Sequence, residues 1–348
     1  MKAPAVNNVK LCCLALATAG LMRAAGETAS PGNIFAPAST PAKSIYDLAL
    51  LILVITGVIF VVVAGMLVYA SVKFRLKPGD DSKEPLQIYG SDQLELAWTV
   101  IPVLIVIVMF MTSARIIHAV QDAGQPPGTI QVTVVGHQFW WEYRYPEYGF
   151  VTANELHVPV SDPKHPTPTF LQLLSADTDH SFWVPRLAGK TDLIPNHPNN
   201  TWIDPHETGI FLGQCAQYCG TQHAKMLLKV VVESRADFDN WVRGQQQKVN
   251  QDSSLSADAE EGRRVFNRTA CINCHTISGT VANGRYGPDL THLMTRQTIG
   301  SGAAKLSAVS LRDWIQNPAD FKPGVLMPAM NLNDKELDAV TAYMQTLH

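Results

Sequence analysis

The chain has 348 residues and a formal net charge of −3 at pH 7, with 46% hydrophobic and 16% charged side chains. That length leaves room for two or three domains, and the near-neutral balance, with no basic stripe interleaved with aromatics, excludes a nucleic-acid binder. The apolar excess is concentrated in two runs, which excludes a uniformly soluble chain.

At the start, Lys2 and Lys10 precede "LCCLALATAG" and the small residues Ala17 and Ala19. This reads as a secretory signal peptide over 1–25, with Cys12 and Cys13 as leader residues. A transmembrane hairpin is expected over 44–118. Its first helix, about 47–72, contains "LALLILVITGVIFVVVAGMLVYASV", 25 residues without a charge. As a helix this run is about 37 Å long, enough for a hydrocarbon core of about 30 Å. The second helix, about 95–117, carries "LAWTVIPVLIVIVMFMTSA". Lys73, Arg75, Lys77 and Lys83 lie in the connector, whereas 116–136 has no Lys or Arg. Positive charge stays in the cytoplasm, so the hairpin turns there and everything after about residue 116 lies on the opposite side.

Over 129–233 short β-branched and aromatic runs, such as "TIQVTVVGHQFWWEYRY", "TFLQLLSA" and "MLLKVVVES", alternate with Pro, Asn, Asp and Gly clusters. They predict an all-β sandwich or barrel. A terminal helix and polar linker follow over 234–256. The segment 257–348 reads as a small all-α domain, opened by an N-cap at Ser256 and closed by a helix with a capping box from Asn333 to Glu336. Leu337, Val340, Met344 and Leu347 form one face of that last helix.

Two motifs carry chemistry. "CINCH" places Cys271, Cys274 and His275 in the C-x-x-C-H attachment pattern of haem c. Two thiols three residues apart bond the haem vinyl groups, and the adjacent histidine ligates iron. A sixth ligand from methionine raises the potential into the range of an electron carrier. The candidates are Met294, Met327, Met330 and Met344; Met344 suits the packed face of the last helix, and "KPGVLMPAM" resembles the methionine loop of small bacterial cytochromes c, a resemblance that selects Met327, with Met330 as its rival.

The second motif is "QCAQYCGTQHAKM", with Cys215, Cys219, His223 and Met226 in thirteen residues. A disulfide between cysteines four apart would constrain little of the unfolded chain. Zinc accepts Cys and His, but methionine is a poor zinc ligand. Thiolate, thioether and imidazole together favour copper. Two thiolates one helical turn apart can bridge a pair of copper ions, and "DTDHSFWVP" supplies a second imidazole in His180.

"DTDHSFWVPRLAGKTDLIPN" followed by "CAQYCGTQHAKM", together with "GHQFWWEYRYP" and "DQLELAWTVIPVLIV", closely resembles cytochrome c oxidase subunit II. With the attached haem motif, the whole resembles the cytochrome-c-fused form found in bacterial haem–copper oxidases. The resemblance implies a multidomain fold: a two-helix transmembrane hairpin, an all-β cupredoxin-like sandwich and a small all-α cytochrome c domain. It implies dinuclear copper A held by His180, Cys215, the main-chain carbonyl of Gln217, Cys219, His223 and Met226, and one covalently bound haem c. Asp177 matches an acidic residue leading to the first copper histidine. Glu95 matches a glutamate at the mouth of a proton-uptake channel, and Trp140 and Trp141 are candidates for electron entry. Two departures stand out. Gln217 replaces a glutamate that also holds magnesium, and Phe139 stands where many members place a tryptophan.

The implied function is electron entry into a respiratory terminal oxidase. A donor such as a soluble or membrane cytochrome c would reduce haem c, then copper, then a catalytic subunit I that reduces oxygen to water with proton translocation. Subunit III and the lipid bilayer are the other expected partners. The expected location is the bacterial cytoplasmic (inner) membrane, with both redox domains on the periplasmic side. The alternatives are the electron-entry subunit of a nitric oxide reductase and a membrane-tethered copper chaperone.

Overall fold

The computed structural model describes residues 32–75, 87, 89–121, 125, 128–162, 164–249 and 255–348. The leader over 1–25, Lys77 and Lys83 of the connector, and residues 250–254 of the linker lie outside the described residues.

Two long helices come first. In α1 (Thr40–Lys73) Pro41 occupies the first turn, where its missing N–H costs nothing. In α2 (Asp92–Gln121) Asp92 and Glu95 face the positive end of the helix dipole. Both run past the expected 47–72 and 95–117 at each end, because the polar flanks join the helix. Only Pro41 and Ala42 of α1 are buried, and none of α2. Phe60, Leu67 and Phe110 are about two-thirds exposed or more (71%, 66% and 67%). A helix apolar on all sides and uncovered by protein fits a membrane.

The β-domain is seated on the other end of this hairpin from the connector. The indole N–H of Trp202 donates to Val120 O at 2.7 Å near the end of α2. Ser39, which caps α1, accepts from Asp204 N at 2.9 Å.

Ten strands build two five-stranded sheets. The first has the order β3 (Phe150–Ala153), β2 (Trp140–Tyr145), β1 (Ile130–His137), β5 (Thr169–Ser175) and β8 (Asn199–Ile203). The second has the order β4 (Glu155–Pro159), β10 (Leu227–Glu233), β9 (Gly209–Cys215), β6 (His180–Trp183) and β7 (Thr191–Leu193). The pairs β1–β5 and β4–β10 are parallel and the others antiparallel. The inner faces interdigitate around Val132, Val134, Trp141, Tyr143, Leu173, Phe182 and Phe211, all buried. Full burial of each such side chain is worth about 1.5–3 kcal/mol. Helix α3 (Arg235–Gln245), capped by Ser234, closes the open end by burying Phe238 and Val242 in the same core.

The C-terminal domain contains α4 (Ala257–Arg268), the one-turn α5 (Cys271–Cys274), a two-stranded ribbon of β11 (Thr298–Ile299) and β12 (Ala304–Lys305), α6 (Ala308–Gln316) and α7 (Asp334–Met344). Ser256 caps α4, and Asn333 and Glu336 form the expected reciprocal capping box on α7. Leu337, Val340, Met344 and Leu347 are buried as one face. Helices α4 and α7 cross at Gly262, where a β-carbon would lie 1.9 Å from Ala339 O. Only glycine admits that approach.

The β-domain and the C-terminal domain meet along a hydrogen-bonded seam. The buried carboxylate of Glu155, on β4, accepts from Gln297 N, Thr298 N and Thr298 Oγ1 at 2.9–3.0 Å. Leu227 N donates to Ser301 O at 3.2 Å, and Ser301 Oγ returns a bond to Leu227 O at 2.6 Å. Lys322 Nζ donates to Phe139 O, Lys225 Nζ to Phe321 O, and Gln222 Nε2 to Pro323 O.

Candidate metal centres

The copper-type cluster forms where three strands end. Strand β6 starts at His180, β9 ends at Cys215 and β10 begins just after Met226, so the loop 216–226 is pinned at both ends. Cys215 N donates to Met226 O at 3.0 Å and Ala216 N to Ser181 O at 2.9 Å.

Five side chains converge. Cys215 Sγ lies 3.9 Å from His180 Nδ1 and 3.8 Å from Cys219 Sγ, which in turn lies 3.7 Å from His223 Nδ1 and 3.8 Å from Met226 Sδ. The Gln217 carbonyl is 3.1 Å from Cys215 Sγ, while the residue itself is exposed. The cysteines are free thiols, and His180, Cys215 and Cys219 are all buried, with ligand atoms within 4.8 Å of one another. One histidine stands outside each thiol, with the two sulfurs between them. That arrangement of soft donors fits copper.

The thiol pair shares its protons unequally. The hydrogen bond from Cys219 pulls the Cys215 thiol far below its ordinary range, and that same thiolate pushes Cys219 up. A thiolate is therefore available in the metal-free chain, and thiolate is the ligating form.

Behind the cluster, Asp177 Oδ1 lies 2.8 Å from His180 Nε2, which leaves Nδ1 facing Cys215. Burial raises the Asp177 carboxyl, but hydrogen bonds from His180 and from Gln138 N and Thr178 N, both at 2.7 Å, outweigh it and hold the group charged. Such outer partners fix a ligand's tautomer and orientation. Gly136 gives the His180 ring its space, since a β-carbon there would lie 2.8 Å from Cδ2.

Cys271 and Cys274 lie on α5, and His275 follows directly. His275 Nδ1 donates to Pro288 O at 2.8 Å, leaving Nε2 as the free acceptor for a metal. Burial lowers the pKa of this histidine, keeping it neutral. All three residues line an apolar cavity of about 330 Å³, together with Met327 and Met330. Arg296 also borders it, and its sealed Nε has no partner among the described residues. Two thiols, a neutral imidazole acceptor and thioether sulfurs on the wall of an apolar cavity suit a flat, largely apolar iron-bearing group. The cavity fits haem.

The copper domain supplies part of that wall through Gln138, Phe139, Trp140 and Asn154. Neighbouring tryptophans on β2 diverge, as alternation requires. Trp140 stacks on His137 with centroids 4.2 Å apart and borders the haem cavity. Trp141 is buried, 6.1 Å from the His180 ring. Glu95 lies exposed in the first turn of α2, about 39 Å of helix from Gln121. It belongs to neither cluster.

Sequence reasoning did not find Glu155, Gln138, Lys322 or Arg296. The partners of Glu155, Gln138 and Lys322 lie far away in sequence, 143 residues from Glu155 to Thr298 and 183 from Phe139 to Lys322, so no local spacing reveals them, and Arg296, which donates to the Asp289 carbonyl, belongs to no motif. The histidines without an assigned role at 137, 157 and 292 are satisfied structurally. His137 pairs with Glu142, His157 with Glu233, and His292 with the carbonyls of Gln247 and His348.

Fold and sites together define a membrane-anchored redox protein in which a cupredoxin-like copper domain carries a cytochrome c domain. Three family models match: "Cytochrome C oxidase subunit II, transmembrane domain" over 29–116, "Cytochrome C oxidase subunit II, periplasmic domain" over 130–234 and "Cytochrome c" over 259–348. Cytochrome c oxidase subunit 2 of Alkalihalophilus pseudofirmus is 33% identical over 316 residues, which cover 89% of each chain. The corresponding protein of Bacillus subtilis is 29% identical over 332 residues, covering 89% of this chain and 90% of its own. The crystal structure of the periplasmic domain of subunit II of cytochrome oxidase of Bradyrhizobium japonicum matches at 29% identity and TM-score 0.33, over 35% of this chain and 97% of its own. The chain belongs to the cytochrome c oxidase subunit II family, and so is an electron-entry subunit of a haem–copper oxidase complex.

Proposed function

We propose that electrons enter at the cytochrome domain, cross to the copper domain and leave for the catalytic subunit, which reduces oxygen to water with coupled proton translocation. The observation that carries this order is the shared wall. Phe139 and Trp140 of the copper domain border the cavity of Cys271, Cys274 and His275.

Bound at these sites, a covalently attached haem c and dinuclear copper A supply one-electron carriers. Cys271 and Cys274 would anchor the haem, and His275 and Met327, with Met330 as the rival to Met327, would supply ligands to its iron. His180, Cys215, the Gln217 carbonyl, Cys219, His223 and Met226 would hold two copper ions. Trp140 at the haem side and Trp141 beside His180 are the aromatic groups placed for electron passage. Gln217 offers no carboxylate, so magnesium at the subunit interface loses its anionic ligand from this chain. Glu95 belongs to proton entry on the cytoplasmic side. The subunit resides in the bacterial cytoplasmic membrane with its redox domains in the periplasm, beside subunits I and III, and accepts electrons from a soluble or membrane cytochrome c.

Metal and haem analysis of the purified native complex tests this reading. Two coppers with a mixed-valence spectrum and one covalent haem c per chain are expected, together with oxygen consumption. One labile copper would point instead to a chaperone, and consumption of nitric oxide in place of oxygen would move the chain to the reductase group.

A further inference from the structure

Between the two centres lies a short run of chain held from both sides. Gln138 Nε2 donates to Cys219 O at 2.6 Å, and Gln138 N donates to Asp177. The Phe139 ring packs against Gly220, where a β-carbon would stand 3.0 Å from ring atoms Cε1 and Cζ. Phe139 also borders the haem cavity. From the cytochrome domain, Lys322 Nζ donates to Phe139 O and to Gly300 O, each at 2.9 Å. Lys322 precedes the methionine of "KPGVLMP" by five residues. A continuous covalent and hydrogen-bonded run thus joins the methionine loop to the main chain of a copper ligand: Lys322, the Phe139 carbonyl, Gln138, Cys219.

Lys322 is the unexpected member of this run. It is 1% exposed, and burying an ammonium is expensive unless its donors are used. Burial holds its pKa down at about 7, and repulsion from Lys225 adds to this. An apolar side chain of similar length would fill the same space without that cost. What an apolar side chain lacks is the bond to Phe139.

We propose that Lys322 is a positioning residue for electron passage from the haem to the copper centre, because its ammonium fixes the Phe139 carbonyl between them. The idea rests on the reading that haem c feeds copper. Electron tunnelling weakens steeply across gaps and less along bonds and hydrogen bonds, so a fixed run gives a rate that a loosened seam loses.

The test uses the assembled oxidase with Lys322→Met and, as a seam control, Glu155→Gln. Haem and copper contents and both reduction potentials are measured first. Electrons are then injected photochemically into haem c, and copper reduction is followed in the near infrared. Lys322→Met should slow this step on the order of tenfold to a hundredfold, beyond what any change in potential accounts for. Glu155→Gln, which leaves Phe139 held, should keep nearly the wild-type rate. In the metal-free chain, Lys322→Met should also speed amide exchange across 138–140. A wild-type rate in Lys322→Met overturns the proposal, and so does equal slowing in both variants, which would make the lysine a general fastener. If Lys322→Met fails to assemble, Gln138→Leu breaks the next link, and an unchanged rate there overturns the proposal equally. If copper is not reduced after haem c in the wild type, the underlying order has failed instead.

Discussion

At the scale of single residues, the most informative are those behind the ligands. Asp177 touches no metal position, yet it orients His180. Asp177→Asn should leave the fold intact and weaken copper binding about 10- to 100-fold, which competition with a copper chelator would measure. Glu142 offers a pH test away from both centres. Burial raises its carboxyl, but the bonds from His137 and Arg144 outweigh this and leave it below the usual carboxylate range. A folded pKa below the unfolded value of about 4.3 means that the stabilisation is full above that pH. It is lost as pH falls through the folded value. Glu142→Gln should therefore cost about 1–3 kcal/mol at neutral pH, and its unfolding curve should converge with that of the wild type in acid. The candidate ligands were legible in the sequence, because Cys215, at the end of β9, and Gln217, Cys219, His223 and Met226 of the following loop lie within twelve residues, and the CINCH residues share one turn. Partners such as Asp177 and Gln138, which meet only after β1 and β6 are folded, had a motif in one case and no signal in the other.

At the scale of elements, local rules carried far. The caps at Ser256 and Asn333 and the buried face of α7 follow from side chains within a few positions of one another. The two apolar helices were equally plain, although their polar flanks concealed their full length. What local rules could not show is how closely helices approach. Gly262 looks like a helix-weakening residue, and alanine there would ordinarily gain about 0.5–1 kcal/mol. The main-chain carbonyl of Ala339, 1.9 Å from the new carbon, cannot swing away as a side chain can. The clash, about 1–3 kcal/mol or more, should win. Gly262→Ala should lower the melting temperature of the haem-loaded chain. Gly244→Ala on α3, with nothing within 4 Å, should hold or raise it. A rise in both would refute the crossing.

At the scale of the whole molecule, the hairpin fixes which way the redox domains face and the seam fixes how they face each other. Deleting 257–348 should leave the copper cluster loaded, since all of the residues proposed to hold copper lie within 180–226. Turnover with the physiological donor should fall on the order of a hundredfold, the advantage of tethering having gone. Steady-state oxygen uptake beside copper analysis would decide, and unchanged turnover would contradict the proposed order. The division into hairpin, β-domain and a small α-domain was apparent from hydropathy and local patterns, and the CINCH motif marked the last as a cytochrome. The seam was not, because it joins residues about 70–180 positions apart.

Most bonds of that seam have a main-chain atom on at least one side. Lys322 reaches the carbonyls of Phe139 and Gly300, Lys225 that of Phe321, Gln222 that of Pro323, and Glu155 the N–H groups of Gln297 and Thr298. Lys229 with Gln297 is a side-chain pair. The docking face is therefore largely indifferent to which side chains occupy the receiving positions, and sensitive to the path of the backbone that displays them. Alanine substitutions across 297–301 and 321–323, Gly300 and Lys322 apart, should leave the domains joined. A single-residue deletion within 299–303 would shift the whole row of acceptors and part them.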